Sequence, residues 1–328
     1  RFVDKKKYDA IIDWRDAMDK CGKYLTHIQD NICGNFTGKD KGRAIRYILY
    51  WMADAIVNPT RRSTALALRG GQGYGKGQFV GRFAELFGYH YRHITQSARL
   101  TDNFNWHLKE NLLLFSDEAF FAGDRAQAGM MKGLITERTR MIEKKYMDAQ
   151  EVQNFTRLIL ASNEQWLVPS DLDDRRWFVI DVANSQQQNK VYFTEMIQEW
   201  RDGGKEAFLY YLRHIAQQKD FIDFDFEREK LITSAHMQQT LMTHEAVGWY
   251  VDVLDRGYFQ YKDDEGKKAR LHLSENETNY FTDTDIIYND FRNYCIQAGQ
   301  KHPGIKAKLS MKLNNMNISF NNERRKTI

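Results

Sequence analysis

The chain has 328 residues, 42% apolar and 28% charged, a size and mixture that fit about two ordinary globular domains. Three prolines exclude a Pro-rich linker, and no apolar run approaches the ~18 to 20 residues of a membrane-spanning helix. The net charge of +4 hides a basic end: from Lys301 onward seven basic residues face one acid, which fits a polyanionic partner or simply a solvated terminus. Basic residues open the chain without a following hydrophobic stretch, so no secretory signal is read. Cys21, Cys33 and Cys295 are odd in number and lack metal-ligand spacing, which fits unpaired thiols in a reducing, cytoplasmic compartment.

Residues 1 to about 57 read as helical, with Tyr8, Ile11, Ile12 and Trp14, then Ile45, Ile48, Leu49 and Met52, mostly three or four apart. Asn58-Pro59 closes the region, because the residue before proline is pushed out of the α basin. Short apolar runs follow at 63–68, 91–94, 111–115, 158–161 and 177–180, with helical stretches between several of them. Alternation of this kind predicts an α/β fold with a mostly parallel sheet covered on both faces. Helical spacing returns from about 190 to 245, with Phe193, Met196, Ile197 and Trp200 on one face. The polar segment 256–280 reads as a loop or hairpin. A small terminal unit follows from Phe281, with helices expected near 284–291 and 310–313 and a strand at 317–320.

The strongest chemical signal is Gly70-Gly71-Gln72-Gly73-Tyr74-Gly75-Lys76-Gly77, followed by Gln78. It fits the G-x-x-x-x-G-K phosphate loop, in which glycines let backbone N–H groups close around a β-phosphate and the lysine reaches the β/γ oxygens. A strand before it and a helix after it support that reading against a plain glycine-rich turn. Gly77 stands where a Ser or Thr hydroxyl usually reaches Mg²⁺. Asp117 and Glu118 end an apolar strand 41 residues beyond Lys76. Such a pair can hold Mg²⁺ and activate water, although alone it reads more often as a helix cap. Asn163 ends another apolar strand 46 residues past Asp117, where an amide can bond a γ-phosphate and the attacking water or simply form a turn. Ten residues after Asn163 begins Asp173-Asp174-Arg175-Arg176, whose arginines suit either surface ion pairs or a transferring phosphoryl group.

Between Gly70 and about Val182 the order of these motifs resembles the superfamily 3 helicases, in the phage and plasmid primase-helicase branch related to poxvirus primase-helicases. The resemblance implies an AAA+-like P-loop ATPase core with ATP and Mg²⁺ as cofactors. It implies Lys76 as phosphate ligand, Asp117 as metal ligand, Glu118 as the water-activating carboxylate and Asn163 as sensor. It further implies Arg175 or Arg176 as a finger acting on a neighbour in a ring, expected to be a homo-hexamer. The family's DNA-contacting hairpin matches 142–148, where Lys144, Lys145 and Tyr146 suit phosphate contact and base stacking. A solvated loop is the plainer alternative.

The expected organisation is an N-terminal helical region (1–57), the ATPase core (58–190), a helical lid (191–255) and a winged-helix-like basic unit (256–328). The expected activity is ATP-driven unwinding on single-stranded or forked DNA in an infected bacterial cell, with the 3′-to-5′ direction implied by the resemblance. With no initiator methionine, the chain is expected to follow a primase-polymerase domain in one parent protein. Two alternatives stay open: a nucleotide-dependent DNA-binding or assembly module without efficient unwinding, and a small-molecule kinase.

Overall fold

The computed structural model describes residues 3–95, 109–118, 125–143, 148–164, 167–170, 174–243, 245–262, 266–272, 284–297 and 306–315. The chain divides into two compact units, Arg1–Thr240 and Leu241–Ile328.

The first unit opens with short helices α1 (Lys5–Asp9), α2 (Trp14–Lys20) and α3 (Gly22–His27). A π-helical turn, Ile28–Ile32, follows directly on α3. The long helix α4 (Gly38–Val57) buries Ala44, Tyr47, Ile48, Trp51, Met52 and Ala55, a stripe at three- and four-residue spacing. It stops at Asn58, before Pro59, as the restriction on the pre-proline residue requires. Its aromatics fasten it at two places: the Trp51 indole donates to Thr64 O at 2.6 Å, just before the strand that follows, and the Tyr47 hydroxyl donates to Phe226 O at 3.0 Å, far along the chain.

Next come β1 (Ala65–Arg69), α5 (Lys76–Ala84), β2 (Tyr91–Ile94), β3 (Leu113–Asp117) and α6 (Arg125–Thr136). An antiparallel ribbon, β4 (Thr139–Ile142) with β5 (Gln150–Gln153), precedes β6 (Arg157–Ser162) and β7 (Trp177–Asp181). Five strands form a wholly parallel sheet in the order β2-β3-β6-β1-β7. Both faces are covered, so its inner strands read as unbroken apolar runs. Period-two alternation sorts their side chains. Leu66, Leu68, Phe115, Ile159 and Phe178 join the core with α4 and α5, while Ala67, Leu114, Leu160, Trp177 and Val179 face Leu134 and Ile135 of α6. The helices α7 (Lys190–Glu199), α8 (Lys205–Ile215), α9 (Lys219–Ile222) and α10 (Ser234–Thr243) carry the chain into the second unit.

The second unit holds α11 (Glu245–Arg256), the hairpin β8 (Tyr258–Lys262) with β9 (Lys268–His272), α12 (Thr284–Gln297) and α13 (Lys306–Asn315). Its core gathers Trp249, Val253, Phe259, Phe291 and Leu313. Asp290 is 2% exposed and accepts from the Trp249 indole at 2.8 Å, the Gln260 amide at 2.9 Å and the Arg256 guanidinium. The strand expected at 317–320 lies outside the described residues.

The N-terminal end of β6 is tied to α4 by a buried ion pair. Arg157, 3% exposed, donates to Asp54, which is fully buried; Asn58 Nδ2 donates to the same carboxylate at 3.0 Å, and Arg61 stands 3.5 Å from it. Removing one partner of such a pair strands the other charge in the core. Asp54→Ala should therefore destabilise the first unit by about 3 to 5 kcal/mol in urea denaturation, and adding Arg157→Met should recover part of the loss. A cost below about 1 kcal/mol would mean that water reaches the pair.

Candidate functional site

Chain direction fixes where a ligand fits. From β1 the chain leaves toward β2 at one edge of the sheet, and from β6, the neighbour of β1, it leaves toward β7 at the other edge. Adjacent strands whose connections run to opposite sides open a crevice at their carboxyl ends, the usual binding place in such sheets. The glycine-rich loop after β1 and Asn163 after β6 flank that crevice.

Lys76 is the first residue of α5, and Gly75 caps the helix in the left-handed region at φ 91°. A side chain at Gly75 is excluded twice: the backbone conformation disfavours it, and a Cβ would stand 2.6 Å from the His27 ring. The Lys76 ammonium turns inward, 8% exposed, donating to the carbonyls of Gly70 and Gly71 (3.1 Å to the latter) and to Asn163 Oδ1 at 2.9 Å. Asn163 passes the contact on, its amide donating to Glu118 Oε1. One amide thus bridges a cation and a carboxylate, which fixes its orientation.

Glu118 is in the left-handed region at φ 53°, rare for a non-glycine, and is held there by its N–H donating to Ala161 O at 2.9 Å. Strain of this kind persists where surrounding contacts over-determine it, and it concentrates at functional sites. Burial lowers the Lys76 ammonium below its ordinary pKa against the opposing fields of Asp117 and Glu118. Burial raises the Asp117 carboxyl, opposed by His93, whose Nε2 is 3.8 Å from Oδ2.

Residues 71–78, Asp117, Glu118 and Asn163 line one cleft of about 800 Å³, closed on its far side by Lys190, Phe193 and Ile197 of α7. Gly77 faces open space, with nothing within 4 Å of a Cβ built there. Arg175 and Arg176 lie elsewhere. They precede β7, and Arg176 O accepts the Ala65 N–H at the start of β1, so they occupy the opposite end of the sheet from Lys76. Five residues at about 3.3 Å each make that gap roughly 16 Å. Arg175 pairs with Glu227 at 3.0 Å and Arg176 with Asp174 at 3.1 Å. Lys144, Lys145 and Tyr146 lie outside the described residues, between the paired strands β4 and β5.

A family model described as a family of unknown function (DUF5906) matches residues 68–176, the stretch holding every motif just placed. The DNA primase-polymerase of Nitratiruptor phage NrS-1 is 27% identical over 242 residues, covering 70% of this chain and 33% of that protein. The chain thus spans about a third of the length of that curated relative. Two apo structures of the NrS-1 C-terminal region align with TM-scores of 0.56 and 0.55, at 22% and 23% identity, over 73% of this chain and 58% of theirs. The fold is shared with that C-terminal region. Among the described residues no helix is long and apolar enough to cross a membrane.

Two site residues escaped the sequence reading. His27, fully buried, places Nε2 3.2 Å from Gly75 O, and Asn31 donates to Tyr74 O. They sit four residues apart among the buried Tyr24, Ile28 and Ile32, and two polar residues on such an apolar face were the available signal. Burial drives His27 down from 6.5 to about 4. Above pH 6.5 the ring is neutral whether folded or unfolded. Below it the unfolded chain takes up the proton first, so stability falls as pH drops from 6.5 toward 4, by up to about 3 kcal/mol. Urea midpoints at pH 7.5, 5.5 and 4.5 should follow this trend, and His27→Gln should remove that part of it.

Proposed function

We propose that this chain is the ATP-hydrolysing helicase part of a phage or plasmid replication protein, of the superfamily 3 primase-helicase kind. It works as a ring, a homo-hexamer, on single-stranded or forked DNA in the cytoplasm of an infected bacterium, downstream of a primase-polymerase domain in the same parent chain. The observation that carries this reading is the hydrogen-bonded series Lys76–Asn163–Glu118 across the crevice between β1 and β6. The phage primase-polymerase relative supports the replication context.

The residues suit a nucleoside triphosphate. The backbone amides opening α5 and the Lys76 ammonium supply donors and positive charge for β- and γ-phosphates. Among the described residues no group of three His, Cys, Asp or Glu forms a self-sufficient metal site. That fits Mg²⁺, which binds through one or two carboxylates and completes its shell with phosphate oxygens and water. Asp117 would hold it, and the ion when bound neutralises phosphate charge. Glu118 takes the proton from the attacking water as its oxygen bonds to the γ-phosphorus and the diphosphate leaves, while Asn163 aims the carboxylate. Lys144, Lys145 and Tyr146 contact DNA, and residues 256–328 make a winged-helix-like basic unit.

Glu118→Gln should keep ATP binding while hydrolysis falls by about 10² to 10⁴, measured by nucleotide titration beside DNA-stimulated phosphate release. Near-normal turnover in that variant, or no response of the parent chain to DNA, would overturn the reading.

Arg175 and Arg176 are a strand's length from their own Lys76, which supports action on a neighbour's nucleotide. Finger arginines contribute about 10³ to 10⁵ in rate. Lys76→Ala and Arg176→Ala (or Arg175→Ala) chains should each be nearly inactive, yet regain hydrolysis when mixed, at interfaces joining an intact loop to an intact arginine. Mixed rings without recovery, for both arginines, refute action in trans.

Gly77 favours one second reading, a nucleotide-dependent DNA clamp or assembly module without efficient unwinding. Strand displacement on a forked duplex separates the two.

A further inference from the structure

Three successive carbonyls of the glycine-rich loop are captured by side chains or amides from outside the β1–α5 unit. The Gln188 N–H donates to Gly73 O at 3.1 Å, Asn31 Nδ2 to Tyr74 O, and His27 Nε2 lies 3.2 Å from Gly75 O. In a trans peptide the C=O and the following N–H point opposite ways. Pinning these carbonyls toward the helices therefore turns the N–H groups of Tyr74, Gly75 and Lys76 the other way, toward the cleft. Among the described residues none of those three amides has an acceptor, so they form a concave set of donors suited to an oxyanion.

The His27 ring is wired for one job. A carbonyl at Nε2 demands a proton there, leaving Nδ1 to accept from the Tyr192 hydroxyl at 3.3 Å. The ring also fills the space that a Cβ at position 75 would take, against the edge of Phe193. Asn31 is aimed by the π turn Ile28–Ile32, a widened turn of the kind found at functional sites, and its own carbonyl accepts the Ala183 N–H at 2.9 Å.

We propose that His27 and Asn31 are positioning residues of the phosphate site, holding the loop carbonyls back so that its amides meet a polyphosphate chain. The N-terminal helices are then a working part of the nucleotide site. This rests on reading the loop as a phosphate cradle.

The test uses the full 328-residue chain, with inorganic tripolyphosphate and ATP as probes in titration calorimetry and thermal unfolding followed in parallel. His27→Phe keeps ring volume and loses the donor; His27→Gln returns an amide N–H near the Nε2 position. One lost hydrogen bond should weaken tripolyphosphate binding about 5- to 10-fold in His27→Phe and in Asn31→Asp, and His27→Gln should restore most of it. Unchanged affinity in a folded His27→Phe overturns the proposal, as does an equal loss in the Phe and Gln variants, which would make the ring's bulk responsible. If His27→Phe does not fold, Tyr192→Phe decides: about 3-fold weaker binding supports the fixed tautomer, and unchanged affinity refutes it. A parent chain that binds neither probe would instead refute the phosphate reading itself.

Discussion

The site depends on one placement: β6 lies between β1 and β3, so that Asn163 stands between the cation of one neighbour and the carboxylate of the other. A buried ammonium and a strained glutamate would each be costly alone. Bridged by an amide whose two ends have opposite polarity, each satisfies the group beside it. The parallel register, with Asp117 opposite Ala161 and Arg69 opposite Ser162, brings the three strand ends level. A one-residue slip of β6 would send its side chains to the wrong faces.

The sheet carries charged groups at both ends of its strands, each set with its own partners. At the carboxyl ends stand Asp117, Glu118 and Asp181, with Arg69 locked to Asp181 by paired hydrogen bonds beneath the glycine-rich loop. At the amino ends Arg61 and Arg157 share Asp54, Arg175 pairs with Glu227 and Arg176 with Asp174. Parallel strands make this separation possible, because every strand contributes its start to one edge and its finish to the other. Each end therefore keeps its own ion pairs, a strand's length from those of the other.

Much of this was legible in the residues. Buried parallel strands announce themselves as apolar runs, which is why all five sheet strands could be read, and Lys76, Asp117, Glu118 and Asn163 follow from what ends each run. Strand order was not legible, since no local property of 157–162 says that it inserts between β1 and β3. The contributions of His27 and Asn31 were hidden for a related reason. Their spacing looks like an ordinary helix face, and only the three-dimensional return of that helix to Tyr74 and Gly75 gives them partners. The pair Asp54–Arg157 joins residues 103 apart and left no sequence signature. Arg175 and Arg176 were legible as a motif but not as residents of the far edge, because a strand's length is invisible until its direction is known.

The three anchored carbonyls carry a consequence for how the molecule comes together. His27 lies 48 residues before Gly75, Asn31 lies 43 before Tyr74, and Gln188 follows the last sheet strand. Contacts of such long separation carry a loop-closure cost that must be met before they repay it. The shape of the glycine-rich loop therefore rests on the N-terminal helices, the sheet and the segment past β7 together. Three segments far apart in the chain thus share one loop, and loosening any of them removes an anchor from it.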